Sequence, residues 1–303
     1  MKNLYIALSF AITSLSLTAQ NKDTKSADKL FNQFEYVDAA KEYMNLVEKG
    51  KADGYVYKQL GDTYYNMFNA ADASKWYAKA IETSQDSETY YRYAQMLKAD
   101  GKYEESNKQM QKFASMSPSD SRAKAFKENP NYVPKLLNKT KQYNVNSSDI
   151  SSDKSDFGPL LVENTLYFTS ARNGARKNYG WNDEPYLDVY QADYNADGTI
   201  TNAFPVSSIN SKWHEGPVTL SADGNTMYFS SESFLENESE KVKELKSKFS
   251  QIYLYRATKD GDSWSNKKPL PFNSKEYSCS NPSLSKDGKT LYFSSNMPNG
   301  MGG

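Results

Sequence analysis

A single histidine, His214, and a single cysteine, Cys279, are all that this chain of 303 residues offers from two side chains that often act as base, nucleophile or metal ligand. One cysteine excludes an internal disulfide and any cysteine-based metal or redox motif. His214 has no cysteine cluster and no evident acid partner, and reads as a residue at the edge of a β blade rather than a base. Cys279 lies near the start of a predicted strand, where burial is the default for a lone thiol. Two stretches imitate known chemistry. DYNADGTI (193–200) opens as Asp-x-Asn-x-Asp-Gly, but position twelve, where a calcium loop needs an acidic ligand, is Phe204, so the stretch reads as a hairpin turn. GDSWS (261–265) lacks the final glycine of a nucleophile elbow and follows a turn where no strand–helix junction is expected. These residues predict no catalytic site, no metal site and no cofactor. Lys+Arg and Asp+Glu both number 37, a zero net charge that argues against a nucleic-acid partner. Tyrosine, at 24 residues, is the enriched type: its ring can be buried while its hydroxyl stays wet, which suits the many half-exposed surfaces of a repeat array.

Residues 27 to 128 lack strand patterning and repeat with a period of 33 to 34. FEYVDAAKEYMNLV (34–47), FNAADASKWYAKAI (68–81) and GKYEESNKQMQKF (101–113) align. Ala39, Ala73 and Ser106 share a small-residue position, Tyr43, Tyr77 and Met110 fall four later, and Leu46, Ala80 and Phe113 three later again, all on one helical face. A second helix precedes the last two copies, with Tyr57, Leu60, Gly61 and Tyr64 in one and Tyr90, Tyr93, Ala94 and Leu97 in the other. The small Gly61 and Ala94 let a neighbouring helix approach; the first copy shows no clear leading helix. This pattern resembles the tetratricopeptide repeat, with residues 54–83 the best match. Ser117, Pro118 and Asp120 predict the N-cap, first residue and acidic first turn of a capping helix running to about Asn129. The resemblance implies a concave groove lined by the first helix of each unit: Tyr55, Lys58, Asp62, Tyr65 and Asn66 from one, and Tyr91, Gln95 and Lys98 from the next.

From residue 156 the pattern changes to short alternating runs. GPLLVENTLYFTS (158–170), GPVTLSADGNTMYFSS (216–231) and NPSLSKDGKTLYFSS (281–295) align, with Asp223-Gly224 and Asp287-Gly288 as tight turns. Val189-Tyr190-Gln191-Ala192 aligns with Leu254-Tyr255-Arg256-Ala257 in a further strand, followed by Asp197-Gly198 and Asp260-Gly261. These units resemble the WD-like β-propeller repeats of exported bacterial proteins, which implies antiparallel four-stranded blades. Two insertions fall at equivalent places. The first, 171–186, offers Arg172, Arg176, Tyr179 and Trp181 as loop binding candidates. In the second, 232–249, Val242, Leu245 and Phe249 predict a short amphipathic helix.

The N-terminus, MKNLYIALSFAITSLSLTAQ, has a basic Lys2, an apolar run from Leu4 to about Leu17, and Ala19 before Gln20, the pattern of a cleaved secretory signal. No later stretch approaches 18 apolar residues, so no transmembrane segment is expected in the mature chain. The expected organisation is an α + β multidomain chain: signal peptide 1–19, tetratricopeptide α-solenoid 20–128, linker 129–155, and an incomplete β-propeller 156–303 of about two blades plus the start of a third. The third copy of the blade phrase ends near Gly303, so the chain reads as an N-terminal fragment. The combination resembles OmpA-family envelope proteins linked to gliding and type IX secretion. That resemblance implies a non-enzymatic scaffold in the periplasm, outer-membrane associated, whose partners are envelope proteins, with peptidoglycan reached only through a domain absent from this chain. The alternative is the propeller region of an exported prolyl-oligopeptidase-like hydrolase or a TolB-like translocation protein.

Overall fold

The computed structural model describes residues 23–130, 132–243 and 247–300. The signal segment 1–19 lies outside these residues. The chain divides into two compact units, one holding the chain to Tyr143 together with Gly180–Asp183, the other Asn144–Tyr179 and Glu184–Gly303. Among the described residues no helix is long and apolar enough to cross a membrane.

The first unit contains α1 (Lys25–Asn32), α2 (Tyr36–Glu48), α3 (Gly54–Asn66), α4 (Ala70–Ala80), α5 (Ser87–Ala99), α6 (Tyr103–Met116), α7 (Ser121–Glu128) and α8 (Tyr132–Leu137). Helices α1 to α7 pack successively on their chain neighbours. The aligned positions are buried: Ala39, Ala73 and Ser106; Tyr43, Tyr77 and Met110; Leu46, Ala80 and Phe113. Within each helical pair the first helix ends in the same geometry. Phe34, Phe68 and Gly101 all adopt left-handed backbone, at φ 62, 59 and 75°. Each N–H bonds back to Phe31, Tyr65 or Lys98, and the following N–H to Leu30, Tyr64 or Leu97, which is a Schellman close repeated at the same place in each helical pair.

Three sequence expectations are corrected. The first copy does have a leading helix: α1, too short for its periodicity to show, buries Ala27 against the core of Tyr43, Leu46 and Leu60. The N-cap of α7 is Asp120, whose carboxylate accepts from Arg122 N–H, rather than Ser117; Ser117 instead follows α6 and donates to Ser87 Oγ. The helical unit also runs into the stretch expected as linker, where α8 forms and Tyr132 accepts from Lys98 Nζ at 3.0 Å.

The second unit has two four-stranded antiparallel sheets. One runs β1 (Asp156–Val162), β2 (Thr165–Ser170), β3 (Asp188–Tyr194), β4 (Ile200–Pro205); the other runs β5 (Glu215–Leu220), β6 (Thr226–Glu232), β9 (Ile252–Asp260), β10 (Ser263–Pro269). A hairpin, β11 (Cys279–Leu284) with β12 (Leu291–Ser295), repeats the first two strands of a sheet. Strand β5 packs on the first sheet, and β11 on the second. Their shared core joins Val189, Val206 and Ile209 to Val218, Phe229, Tyr255 and Trp264. Four-stranded antiparallel units are therefore present, but among the described residues no sheet closes on itself, and the ring that defines a propeller is not shown. The amphipathic helix expected at 242–249 is a hairpin instead, with β7 (Glu240–Val242) paired to β8 (Ser247–Phe249). The ends of this insertion are anchored on Glu232 and Ile252, which already face each other across β6 and β9, so a returning hairpin continues their pairing.

Candidate functional site

Helices α3 and α5 are started by aspartate N-caps. Asp53 accepts from Tyr55 and Val56 N–H, and Asp86 from Thr89 N–H. Val56, Leu60 and Thr63 of α3 turn inward, which leaves Tyr55, Lys58 and Asp62 on a stripe of spacing three and four. Tyr91, Gln95 and Lys98 form the corresponding stripe on α5.

Two cavities lie against these stripes. The larger, about 540 Å³, is lined by Tyr55, Lys58 and Asp62 with Asp28 and Phe31 of α1 and Arg92 of α5. The smaller, about 370 Å³, is lined by Tyr91, Gln95 and Lys98 with Met110, Arg122 and Phe126. Six of the eight groove candidates thus fall into two cavities. The other two are engaged elsewhere: the Tyr65 ring lies 5.2 Å under the Arg92 guanidinium, and Asn66 donates to the Asp62 carbonyl while its own carbonyl accepts from Trp181 Nε1–H at 2.8 Å.

Asp62 organises the larger cavity. It is buried, and accepts from Tyr77 O–H at 2.7 Å, Lys58 Nζ at 2.6 Å and Arg92 Nη1 at 2.9 Å. Burial and the Asp62 carboxylate hold the Tyr77 hydroxyl far above its ordinary range. Burial alone would pull the Arg92 guanidinium down; Asp62 outweighs it and keeps the group firmly charged. The same construction recurs one repeat earlier, where Asp28 accepts from Tyr43 O–H at 2.6 Å. One repeat later Gln95 Nε2 approaches Met110 Sδ at 3.8 Å. In each pair the residues are 15 apart. That spacing was the signal that would have found Asp28. Arg92, Arg122 and Phe126 had no comparable signal, because they reach the cavities from other helices.

The loop candidates do not form one cluster. Arg172 donates to Ser170 Oγ at 2.8 Å and Asp156 at 2.8 Å, and lies over Phe168 and Tyr190. Arg176 grips the fully buried Asp188 with two bonds, at 3.1 and 2.6 Å. The Tyr179 ring meets His214 edge-on at 4.7 Å. Trp181 belongs to the helical unit, stacked on Phe34 at 5.6 Å and edge-on to Tyr36 at 5.0 Å.

His214 accepts Leu187 N–H on Nδ1 at 3.0 Å, and burial pushes its pKa down to about 4. Glu215 beside it is fully buried, accepts from Ser211 and Ser231, and is pushed up to about 7 by burial. Cys279 is buried with Sγ 3.6 Å from Ser295 Oγ, and burial raises its pKa. In the calcium-like stretch Asp197 accepts from Thr199 N–H and O–H inside the β3–β4 hairpin. Ser263 and Ser265 sit on β10 on either side of the buried Trp264, in a strand-to-strand hairpin.

No family model matches the chain, and no curated protein matches it. Among solved structures the chain is similar to the C-terminal part of a TPR repeat-containing protein from Cytophaga hutchinsonii, at 18% identity and a TM-score of 0.32. The likeness covers 37% of this chain and 46% of that one, so the chain spans less than half the length of that structure, and a likeness of this degree carries no argument for fold or function.

Proposed function

We propose that the chain is a non-enzymatic scaffold that holds a protein partner along the face formed by α3 and α5, in the manner of a tetratricopeptide array. The observation that carries this reading is the pair of cavities, 540 and 370 Å³, lined by the same helical stripe of successive repeats. Their walls mix partly exposed aromatic rings with charges already fixed in place, which suits recognition by a few anchoring residues. In the same reading the repeated four-stranded sheets are blades of a β-propeller, and the chain is exported to the periplasm, associated with the outer membrane through secretion or envelope-anchoring partners. The test is photo-crosslinking in cells, with a photoreactive residue at position 58 or 98 and a control at Lys108, an exposed site outside both cavities. The reading expects a defined protein adduct from positions 58 and 98, lost when Tyr55 and Tyr91 are both changed to Ala. Equal adducts from all three positions, or none from 58 and 98, would refute it.

A further inference from the structure

Among the described residues, one carboxylate of the larger cavity has no cation paired with it. Four acids and two bases line it: Asp28, Asp62, Asp86 and Glu88 against Lys58 and Arg92. Both bases are committed to Asp62, at 2.6 and 2.9 Å, and reach Asp86 and Glu88 only at 4.0 and 3.5 Å. Glu88 also has Arg122 at 2.9 Å. Among the described residues, the bonds to Asp28 come from hydroxyls alone. Oδ1 accepts from Tyr43 at 2.6 Å and Tyr55 at 2.9 Å, and Oδ2 accepts from Thr24 at 2.7 Å. A carboxylate offers about four acceptor positions, so one remains on Oδ2.

The repeat itself shows what completes such a site. Asp62 occupies the position of Asp28 one repeat on, since each follows a buried small residue, Gly61 or Ala27, and each bonds a tyrosine 15 residues ahead. Asp62 draws its cations from the residue four earlier, Lys58, and from the next first helix, Arg92. At Asp28 the corresponding residues are Thr24 and Gln59, both neutral, and Gln59 Nε2 donates to Tyr43 Oη instead. The side of the cavity nearest Asp28 adds the rings of Phe31 and Tyr55, the latter 41% exposed. Aromatic faces suit the stem and head of a long basic side chain.

We infer that this end of the groove takes a lysine or arginine side chain of an extended peptide, its cation seated on Asp28 Oδ2 as Lys58 is seated on Asp62. The inference rests on the groove reading above and names its ligand chemistry. The probe is a blocked nine-residue peptide of Ala, Tyr and three Lys, fluorescently labelled, with a twin in which every Lys is acetylated. Affinity for the full chain is measured by fluorescence anisotropy. The lysine peptide is expected to bind at least fivefold more tightly than its acetylated twin, a preference that weakens steeply with salt. Asp28→Asn, which keeps an acceptor for Tyr43, should abolish the preference. Gln59→Arg, which supplies a cation as Arg92 does at Asp62, should abolish it while leaving Asp28 and the fold in place. Asp23→Asn, outside the cavity, should change nothing. Equal affinity for the two peptides, an undiminished preference in Gln59→Arg, or no binding of either peptide would overturn the inference. The first two would leave the groove reading intact, and the third is separated from it by the crosslinking result.

Discussion

Gly61→Ala tests how tightly the second repeat is closed. In an exposed helix interior this change stabilises by about 1 kcal/mol. Here a Cβ at Gly61 would lie 2.5, 2.6 and 2.9 Å from three ring carbons of Tyr77. Carbon atoms in ordinary contact are about 3.5–4.0 Å apart, so the ring must retreat by about 1 Å. Tyr77 is fully buried and packs with the Tyr93 ring at 6.1 Å between centroids. Its hydroxyl is tied to Asp62 at 2.7 Å, and a shift of that size would stretch the bond past the roughly 3.2 Å limit of a good hydrogen bond. A bond to a charged acceptor contributes about 1.5–3 kcal/mol, and overpacking costs about 1–3 kcal/mol more. Taken near the lower ends of these ranges, because the ring and its neighbours relax in part, and set against the propensity gain, the net expectation is about 2 kcal/mol of local destabilisation. Hydrogen exchange on the full chain reads this directly: amides of α3 and α4 should exchange about 30-fold faster, with the β unit unchanged. In a Tyr77→Phe background the bond is already gone, so Gly61→Ala should cost less than it does alone. Exchange as slow as in the parent chain, or slower, would show that Tyr77 moves freely and that the close approach at Gly61 is not a packing constraint.

Glu215→Gln should remove from the β unit a loss of stability on raising pH, leaving the opposite loss on acidification set by His214 unopposed. A carboxyl raised from 4.5 to about 7 favours the folded state when protonated, so its contribution is present at low pH and is lost as pH rises between those values. The loss is about 3 kcal/mol, read by urea unfolding at about pH 5 and about pH 7.5; an unchanged slope in the variant would refute the assignment. His214, lowered from 6.5 to about 4, acts in the opposite direction, so the variant should keep its loss of stability on acidification through that range. Arg176→Ala strands the buried Asp188 carboxylate, and should destabilise the β unit by about 3–5 kcal/mol, with Asp188→Asn restoring part of it; a neutral Arg176→Ala would free this arginine for a binding role instead. N-terminal sequencing of the protein from the cell envelope should begin at or near Gln20, and an intact Met1 there would count against cleavage.

What the sequence determined by itself is the pair of repeat languages. A period of 33 to 34 with small and large residues at fixed helical offsets specifies paired helices, because each helix must bury one stripe, and Tyr43, Tyr77 and Met110 are buried as that requires. Alternation around Asp-Gly turns likewise specifies hairpins, and Gly224 and Gly288 adopt the left-handed backbone such turns need, at φ 69 and 70°. Local rules also suffice for the stripes Tyr55–Lys58–Asp62 and Tyr91–Gln95–Lys98. What they could not supply were features in which a local preference is overruled or a partner comes from afar. Phe34 and Phe68 close helices in a conformation that aromatic residues rarely adopt, so only the third copy, with Gly101, announced it. Helix α1 has too few turns for a periodic signal, and exists because Ala27 and its neighbours find a core already formed by α2 and α3. Arg172 and Arg176 read as free loop cations until the fold brought Asp156 and Asp188 to them across 16 and 12 residues. The charge of the groove was settled in the same way. Lys58 and Asp62 are four apart and legible as a pair, whereas Arg92 reaches Asp62 from 30 residues away, and among the described residues Asp28 has no cation because the corresponding positions hold Thr24 and Gln59. Electrostatic balance depends on distance in space, and in a stack of helices that distance is fixed by packing between repeats rather than by order along the chain.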